Sequence, residues 1–471
     1  MSISEAPAAD SVDDLAKYLA KRVAGRIATP ADSDWDKVRA AWNLSVDQRP
    51  AMVALPESST DVAAVLDFAS GAGLRVAPQG TGHNASPLGD LSTTILLRTD
   101  RMRELTVDPV ARSVRVGAGV SWSEVTEALA RHGLVGRAGS SGSVGVAGYS
   151  LGGGYSWLAR RHGLAVNSVT AVDLVTGDGV LHRTDALTEP ELFWAVRGGG
   201  ANVGIVCALE FTALAVTQVY GGALLFPIER AAEVLAAYAE WTRELDESAT
   251  TCVRLLRLPP MPELPEPLRG KSFVAIDGAI EAGAEPAGLT DWAERLLAPL
   301  RALGPVMDTF AVMPAAALGQ IHMDPPDPTP ARGDGMILED LTPDAIAVLL
   351  ALVGPGVDSP LLAVDLRHLG GSVGRPDPTG GAVNHLPGRF LLYAVGITPT
   401  ADSIHGVEEH VAALRDALAP WQADRDYLNF RDTAAPAHRF YDQRTIRQLL
   451  EVRNHHDPDG LIRSNHPVEA V

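Results

Sequence analysis

Apolar positions recur at helical spacing near the start of the chain. Leu15, Leu19, Val23 and Ile27 lie four apart, which predicts one amphipathic helix over Val12–Ile27. Trp35 to Pro50 links it to a strand predicted at Met52–Leu55. Ser58 and Asp61 form a Ser-x-x-Asp capping box, so a helix should open there and end near Gly71–Gly73. The mostly apolar run Leu74–Ala77 predicts a short buried strand. Pro78 should stop its ladder, because proline has no N–H to donate. Thr94–Leu97 and Ser113–Val116 predict further strands, and Ser121–His132 a helix. Val169–Val175, a Gly177-Asp178-Gly179 turn and Val180–Arg183 predict two more strands. Glu189–Leu192 opens a short helix, and Gly204–Thr212 returns as a strand.

A new pattern begins at Ala223–Pro227. Long Ala/Leu helices are predicted at Ala231–Thr242, Leu289–Leu303 and Pro343–Val353. Strands are predicted at Ser272–Ile276, Leu361–Leu366 and Phe390–Ile397. Strands alternating with helices imply one sheet covered on one side. The proline-rich stretch Met323–Pro330 reads as an exposed loop. Ile404–Ala419 predicts a helix leading to Tyr427. The fold class expected from these elements is α+β.

Bulk properties narrow the partners. A chain of 471 residues allows about three domain-sized units, or two with one split segment. Its formal net charge of −19, with basic residues unclustered, argues against nucleic acid or an anionic membrane as a partner. Cys207 and Cys252 alone imply no disulfide framework and are expected as buried free thiols. No metal site and no internal repeat is expected. No apolar run approaches the roughly 20 residues of a membrane helix, and Met1–Ala31 has no apolar core of a secretory signal. A soluble, cytoplasmic protein is expected, its oligomeric state open.

The chemistry lies in three glycine-rich runs. The first is Gln79-Gly80-Thr81-Gly82-His83-Asn84-Ala85, directly after a predicted strand. Glycine permits backbone angles that turn successive N–H groups toward one point, and such a concavity binds anionic oxygens, above all phosphate. His83 stands at its rim. The second run is Gly139–Tyr155, and the third Arg197–Val206.

Taken with Tyr427-Leu428-Asn429-Phe430, these runs resemble the flavin-dependent oxidases of the vanillyl-alcohol oxidase superfamily, in particular the berberine-bridge-enzyme-like branch. The resemblance runs from about Arg49 to the end and is weakest between Gly221 and Pro360. It implies a two-part PCMH-type FAD-binding domain and an antiparallel-sheet substrate domain with helices on one face. The expected divisions are 1–48, an N-terminal helical segment; 49–215, the FAD-binding domain; 216–420, the substrate domain; and 421–471, a segment returning to the FAD domain. Cofactor contacts are then expected from Gln79 to Ala85, from Gly139, Ser140, Ser141, Val144, Gly145, Gly148, Tyr149, Gly152 and Gly153, and from Val206, Tyr427 and Asn429.

The resemblance also assigns roles. The histidine matching His83 carries a covalent bond to the 8α-methyl carbon of the flavin. Many relatives add a cysteine tether where Ser141 stands here, so a single link is expected. A small valine such as Val144 is similar to members that react with O2, which implies an oxidase releasing H2O2. Tyr155 matches a tyrosine that helps deprotonate a small-molecule substrate, and Tyr427, also a catalytic candidate, belongs to a flavin-contact motif. Asp365 and Arg367 share one strand face, since side chains alternate. They and His368 are candidates for the substrate side, with Asp365 catalytic. Phe430 stands where some relatives have tyrosine. Asn465 and His466 could close over the ring.

Other readings fit parts of the chain. Gly148-Tyr149-Ser150-Leu151-Gly152 satisfies the Gly-x-Ser-x-Gly elbow of serine hydrolases, with Asp365 and His466 in the right chain order. Against this, the residues before Gly148 are a glycine-broken loop. Gly198–Gly204 superficially fits a dinucleotide fingerprint, but a strand follows it where a helix should. A flavin-fold protein that only binds a ligand is the third.

Overall fold

The short apolar runs of the first hundred residues build one sheet in the computed structural model, which describes residues 11–262, 265–282 and 288–469. Its strands are β1 (Arg26–Ala28), β2 (Met52–Leu55), β3 (Arg75–Gln79) and β4 (Thr94–Arg98), in the order β1-β2-β4-β3. The helix Ser59–Ala72 packs beside it, capped by Ser58 and ended by Gly73 in the left-handed conformation.

Two expectations change here. The N-terminal helix covers only Val12–Leu19, and Ile27 pairs with Ala54 in β1; residues 1–10 of that segment lie outside the described residues. The carboxylate of Asp61 receives the N–H groups of Ala24 (2.8 Å) and Gly25 (3.1 Å), which turns the chain into a strand. Pro78 does not end β3, which pairs with β4 as far as Gln79. Along β3 the Arg75 N–H bonds on the β4 side, to Thr93, and the Val76 N–H bonds on the opposite side, to Leu461. By the same alternation, Pro78 lacks its N–H on the side away from β4, so the β4 ladder is intact and only the short bridge of Val76 to Ile462 ends there.

The second sheet is antiparallel, with strands β5 (Leu105–Asp108), β6 (Ser113–Gly117), β7 (Val169–Val175), β8 (Leu181–Asp185) and β9 (Ile205–Thr212) in the order β5-β6-β9-β7-β8. The predicted helix after β6 forms over Trp122–Ala130, with Ser121 and Glu124 completing a capping box.

The third sheet has eight strands: β10 (Gln218–Pro227), β11 (Ala249–Arg257), β12 (Ser272–Ile280), β13 (Met307–Asp308), β14 (Ala311–Pro314), β15 (Ala331–Leu338), β16 (Ala363–His368) and β17 (Phe390–Ile397). The order is β13-β10-β12-β11-β16-β17-β15, with β14 also on β10, and every pairing is antiparallel. Helices Ala231–Trp241, Leu289–Arg301, Pro343–Val353 and Ala401–Leu418 cover one face, around a core that includes Leu224, Phe226, Tyr238, Leu349 and Leu392. The other face lines a cavity shared with the glycine-rich loops. The fold is α+β, as expected.

The C-terminal segment is clamped across this sheet by one buried carboxylate. Asp334 on β15 accepts from Arg415, the Asp432 N–H (3.0 Å) and the Thr433 hydroxyl (2.7 Å), and pairs with Arg431 at 3.1 Å. Arg431 and Arg439 both also bond Asp426. This clamp fixes the position of Tyr427–Phe430 between the sheet and the loops. Removing one partner of a buried ion network leaves the others uncompensated. Asp334→Ala is expected to lower unfolding free energy by roughly 3–5 kcal/mol, measured by denaturant titration, whereas a loss below ~1 kcal/mol would show that the clamp is dispensable.

Candidate functional site

Beyond Gln79 the chain turns through Gly80–Asn84 along the wall of a cavity of about 940 Å3. Among the described residues, none of the backbone N–H groups of Gly80, Thr81, Gly82, His83 and Asn84 has a hydrogen-bond acceptor. Successive donors without partners form a cup for an anionic group. Gly82 makes the turn at φ 83°, and a Cβ there would stand 2.9 Å from Ala41. Gly139, Ser140, Ser141, Val144, Gly145, Gly148, Tyr149, Gly152 and Val206 line the same cavity. A Cβ at Gly148 would meet nothing within 4 Å, and one at Gly80 nothing nearer than 3.8 Å. These glycines leave room that a ligand can fill, so the cup and the open glycine surface suit a diphosphate joined to a flat ring system.

His83 lies on this wall. Its ring stacks on Trp42 at 3.9 Å and 17°. Its Nε2 is 3.1 Å from Ser143 Oγ, which is itself 2.9 Å from Ser141 Oγ. Burial pushes its pKa down to about 4, so at neutral pH the imidazole is uncharged. Nδ1 has no protein partner among the described residues, and a neutral ring with one nitrogen held and the other free can act as a nucleophile.

Tyr427 is buried against the second glycine run. Its oxygen accepts the N–H groups of Gly154 (3.0 Å) and Tyr155 (3.0 Å) and Asn429 Nδ2 (2.9 Å). Burial pushes its pKa up to about 12 in spite of these donors. With its lone pairs occupied, the group it can still offer is its own O–H. Gly153 allows this approach at φ 122°; a Cβ there would stand 2.9 Å from the Tyr427 ring. Asn84 Nδ2 donates to the Leu428 carbonyl (3.2 Å), and Asn429 Nδ2 to that of Tyr149 (2.9 Å). The C-terminal motif therefore ties two glycine runs together.

On the opposite wall, the third sheet holds a row of buried charges. Asp365 Oδ2 lies 3.0 Å from His322 Nε2 and accepts from Arg367 at 3.2 Å. His322 Nδ1 is 3.0 Å from Asp277 Oδ2, which also pairs with Arg254 at 2.6 Å. Burial and Arg254 push the His322 pKa down, but Asp365 and Asp277 outweigh them and raise it. Burial alone would raise the Asp365 pKa; His322, Arg367 and Arg254 hold it well below the usual carboxylate range. Asp365 Oδ1 is buried without a partner among the described residues, and Asp365 lines the cavity. It is an acceptor left open for a ligand.

Asp365, Arg367, Tyr155 and Tyr427 thus meet at one cavity, with all the expected cofactor contacts except two. Ala85 is buried and off the wall, and Gly153 lies under the Tyr427 ring. His368 also departs from expectation. One residue after Arg367, it falls on the other sheet face, 5.7 Å from the Phe390 ring. Tyr155 reaches the wall, but its hydroxyl donates to the His368 carbonyl at 2.7 Å and burial raises its pKa. The hydroxyl is thus engaged by the backbone. Ser150 is buried inside the helix Val146–Leu151, off the wall and without a histidine partner, so the hydrolase elbow does not form. Strand β9 follows Gly204 directly.

Sequence reading missed Arg254, Asp277 and His322, and also Asp432, which lines the cavity and accepts from the Tyr393 hydroxyl at 2.9 Å. The available signal was a charge set in an apolar strand, as in Val274-Ala275-Ile276-Asp277. Asn465 and His466 do line the cavity. Cys207 and Cys252 are buried and free. Among the described residues, no helix is long and apolar enough to cross a membrane.

Comparison with known proteins agrees with this geometry. A family model described as an FAD binding domain matches residues 50–185. (R)-6-hydroxynicotine oxidase of Paenarthrobacter nicotinovorans is 30% identical over 296 residues, which span 62% of this chain and 61% of that enzyme. An FAD-linked oxidoreductase of Dictyostelium discoideum is 24% identical over 440 residues, 92% of each chain. The structure of Physcomitrella patens BBE-like 1 superposes with a TM-score of 0.84 at 17% identity, covering 97% of this chain and 99% of that one; this match shows a shared fold.

Asp432 supplies a pH test of the site. Burial, reinforced by the Asp334 carboxylate, pushes its pKa up to about 7, above the ~3.9 of an unfolded aspartate. Its contribution to stability is therefore complete at low pH and is lost as pH rises through about 7. The melting temperature of Asp432→Asn relative to wild type is expected to rise between pH 5 and pH 8. A difference constant across that range would mean the carboxyl titrates normally.

Proposed function

We propose that this chain, which belongs to the vanillyl-alcohol oxidase superfamily of FAD-binding oxidoreductases, is an oxidase of the berberine-bridge-enzyme-like branch whose flavin is joined to His83 by a single bond. Bound FAD supplies the redox chemistry: it takes a hydride from a substrate C–H beside an O–H or N–H and passes the electrons to O2, giving H2O2.

The observation that carries this reading is one cavity holding a partnerless amide cup, an uncharged His83 and the open oxygen of Asp365. The amides of Gly80–Asn84 hold the diphosphate. Residues 49–215 and 421–471 grip the cofactor, and 216–420 form the substrate side. His83 uses Nδ1 for the link, because Nε2 is engaged by Ser143. Ser141 cannot form a thioether, so there is no second tether. Val144 on the wall keeps space for O2.

Asp365 orients the substrate by accepting its O–H or N–H on Oδ1. As hydride leaves the neighbouring carbon, that proton becomes strongly acidic, so a carboxylate ionised at every working pH is base enough. Arg367 holds Asp365 in place, and Tyr427 donates its O–H into the same space. A site between two packed layers is where small-molecule cavities usually form.

Acid precipitation of wild type is expected to leave the yellow colour in the pellet, and that of His83→Ala to release it; free FAD from wild type would contradict the link. Asp365→Asn is expected to slow anaerobic flavin reduction by ~10²-fold or more at unchanged flavin content, and an unchanged rate would remove Asp365 from the chemistry.

A further inference from the structure

The sheet face that lines the cavity has two chemically different ends, set by strand register. Pairing aligns Ala275, Arg254, Asp365 and Tyr393 across four strands. Two residues further along, on the same face, Phe273, Leu256, Ala363, Val395 and Gly333 form the next row. Beyond that, Ala331 pairs with Ile397, and Leu258 extends β11. Successive same-face rows are ~6.7 Å apart, so the apolar surface runs roughly 7–13 Å from the Asp365 row. The cavity-lining members of these two rows are Leu256, Ala363, Val395, Leu258, Ala331 and Ile397, none with a hydrogen-bonding side chain.

Polar side chains reach both ends of this wall: Asn43, whose Oδ1 accepts the Ala331 N–H at 3.3 Å, and Thr329 line the cavity at the far end, while Thr309 and Asp324 stand at the charged end. Thr309 bonds Ala223, which pairs with Asp277, and Asp324 lies 4.0 Å from His322 Nε2. There Arg254 and Arg367 face Asp277, Asp365 and Asp324 around His322, whose pKa is raised, against burial, by Asp365 and Asp277. Ile397, at the far end, is 37% exposed, so the apolar rows lead out toward solvent.

We propose that the substrate is an amphipathic molecule: one oxidisable alcohol or amine carbon held at Asp365, and an aliphatic body lying along the Leu256–Val395 and Leu258–Ile397 rows. This rests on the oxidase reading. A sugar of the same length would place several hydroxyls against the side chains of these rows, none of which can bond them, each at the cost of a desolvated polar group. An aliphatic chain there removes its own surface and the wall's from water.

The test is binding of n-alkanols from butanol to decanol, with xylobiose and maltotriose as polar controls. It is read as a shift in melting temperature and, independently, as a perturbation of the flavin absorption spectrum. Affinity is expected to rise ~3- to 4-fold per added methylene, with the oligosaccharides inert. Leu256→Asn is expected to weaken decanol binding ~10-fold, and the near-isosteric Val395→Thr serves if that variant does not fold. Affinity independent of chain length, or an oligosaccharide that binds more tightly than decanol, would overturn the proposal. A purified protein without flavin would instead defeat the oxidase reading, and the melting-temperature series would still decide the class of ligand.

Discussion

Five consecutive backbone N–H groups, Gly80 to Asn84, find no acceptor among the described residues. Folded chains rarely leave so many successive donors without a protein partner at one place; these lie partly exposed along the cavity wall, open to water or a ligand. Much of the architecture serves to keep them that way. The strand β3 delivers the loop from an edge where Pro78 leaves the β4 ladder intact. Gly82 takes backbone angles that a side chain would spoil. Asn84 bonds the Leu428 carbonyl, so the loop cannot fold back on itself. An anion of the right shape resolves the deficit, and the diphosphate of FAD is one.

The opposite wall carries a second expensive feature, the charges on β11, β12 and β16. Burying ions is costly unless each is paired. Here Asp277, His322 and Asp365 compensate one another in a chain, with an arginine at each end. Of the two carboxylate oxygens left over among the described residues, Asp277 Oδ1 and Asp365 Oδ1, that of Asp365 belongs to the wall of the cavity that holds the amide cup. One wall therefore offers free donors and the other a free acceptor. A cofactor with anionic oxygens and a substrate with an O–H or N–H would complete both, which is why the two halves read as one site.

The cofactor wall was legible in sequence because glycine runs are local: Gly80–His83, Gly139–Gly153 and Tyr427–Asn429 each announce themselves within a few residues. The substrate wall was not. Arg254, Asp277, His322 and Asp365 are more than a hundred residues apart at the extremes and meet only through strand register and the loop that carries His322, which no local pattern reveals. His322, in Ile321-His322-Met323-Asp324-Pro325, looks like any loop histidine. Alternation correctly put Asp365 and Arg367 on one face, and the same rule, applied to His368, would have sent it to the other. The strands β10, β11 and β15 were missed or shortened because their inward faces carry glycine, threonine or charge where apolar residues were sought. The N-terminal helix was overextended because four-residue spacing continues through Ile27, while the Asp61 carboxylate, distant in sequence, captures the backbone first.

The sharpest test of this two-walled site is a crystal structure of the purified protein at about neutral pH. The expected result is a diphosphate seated on the amides of Gly80–Asn84, a flavin ring bonded to His83, and Asp365 across the ring's far side. A structure in which those amides meet only water, with His83 Nδ1 free, would contradict it.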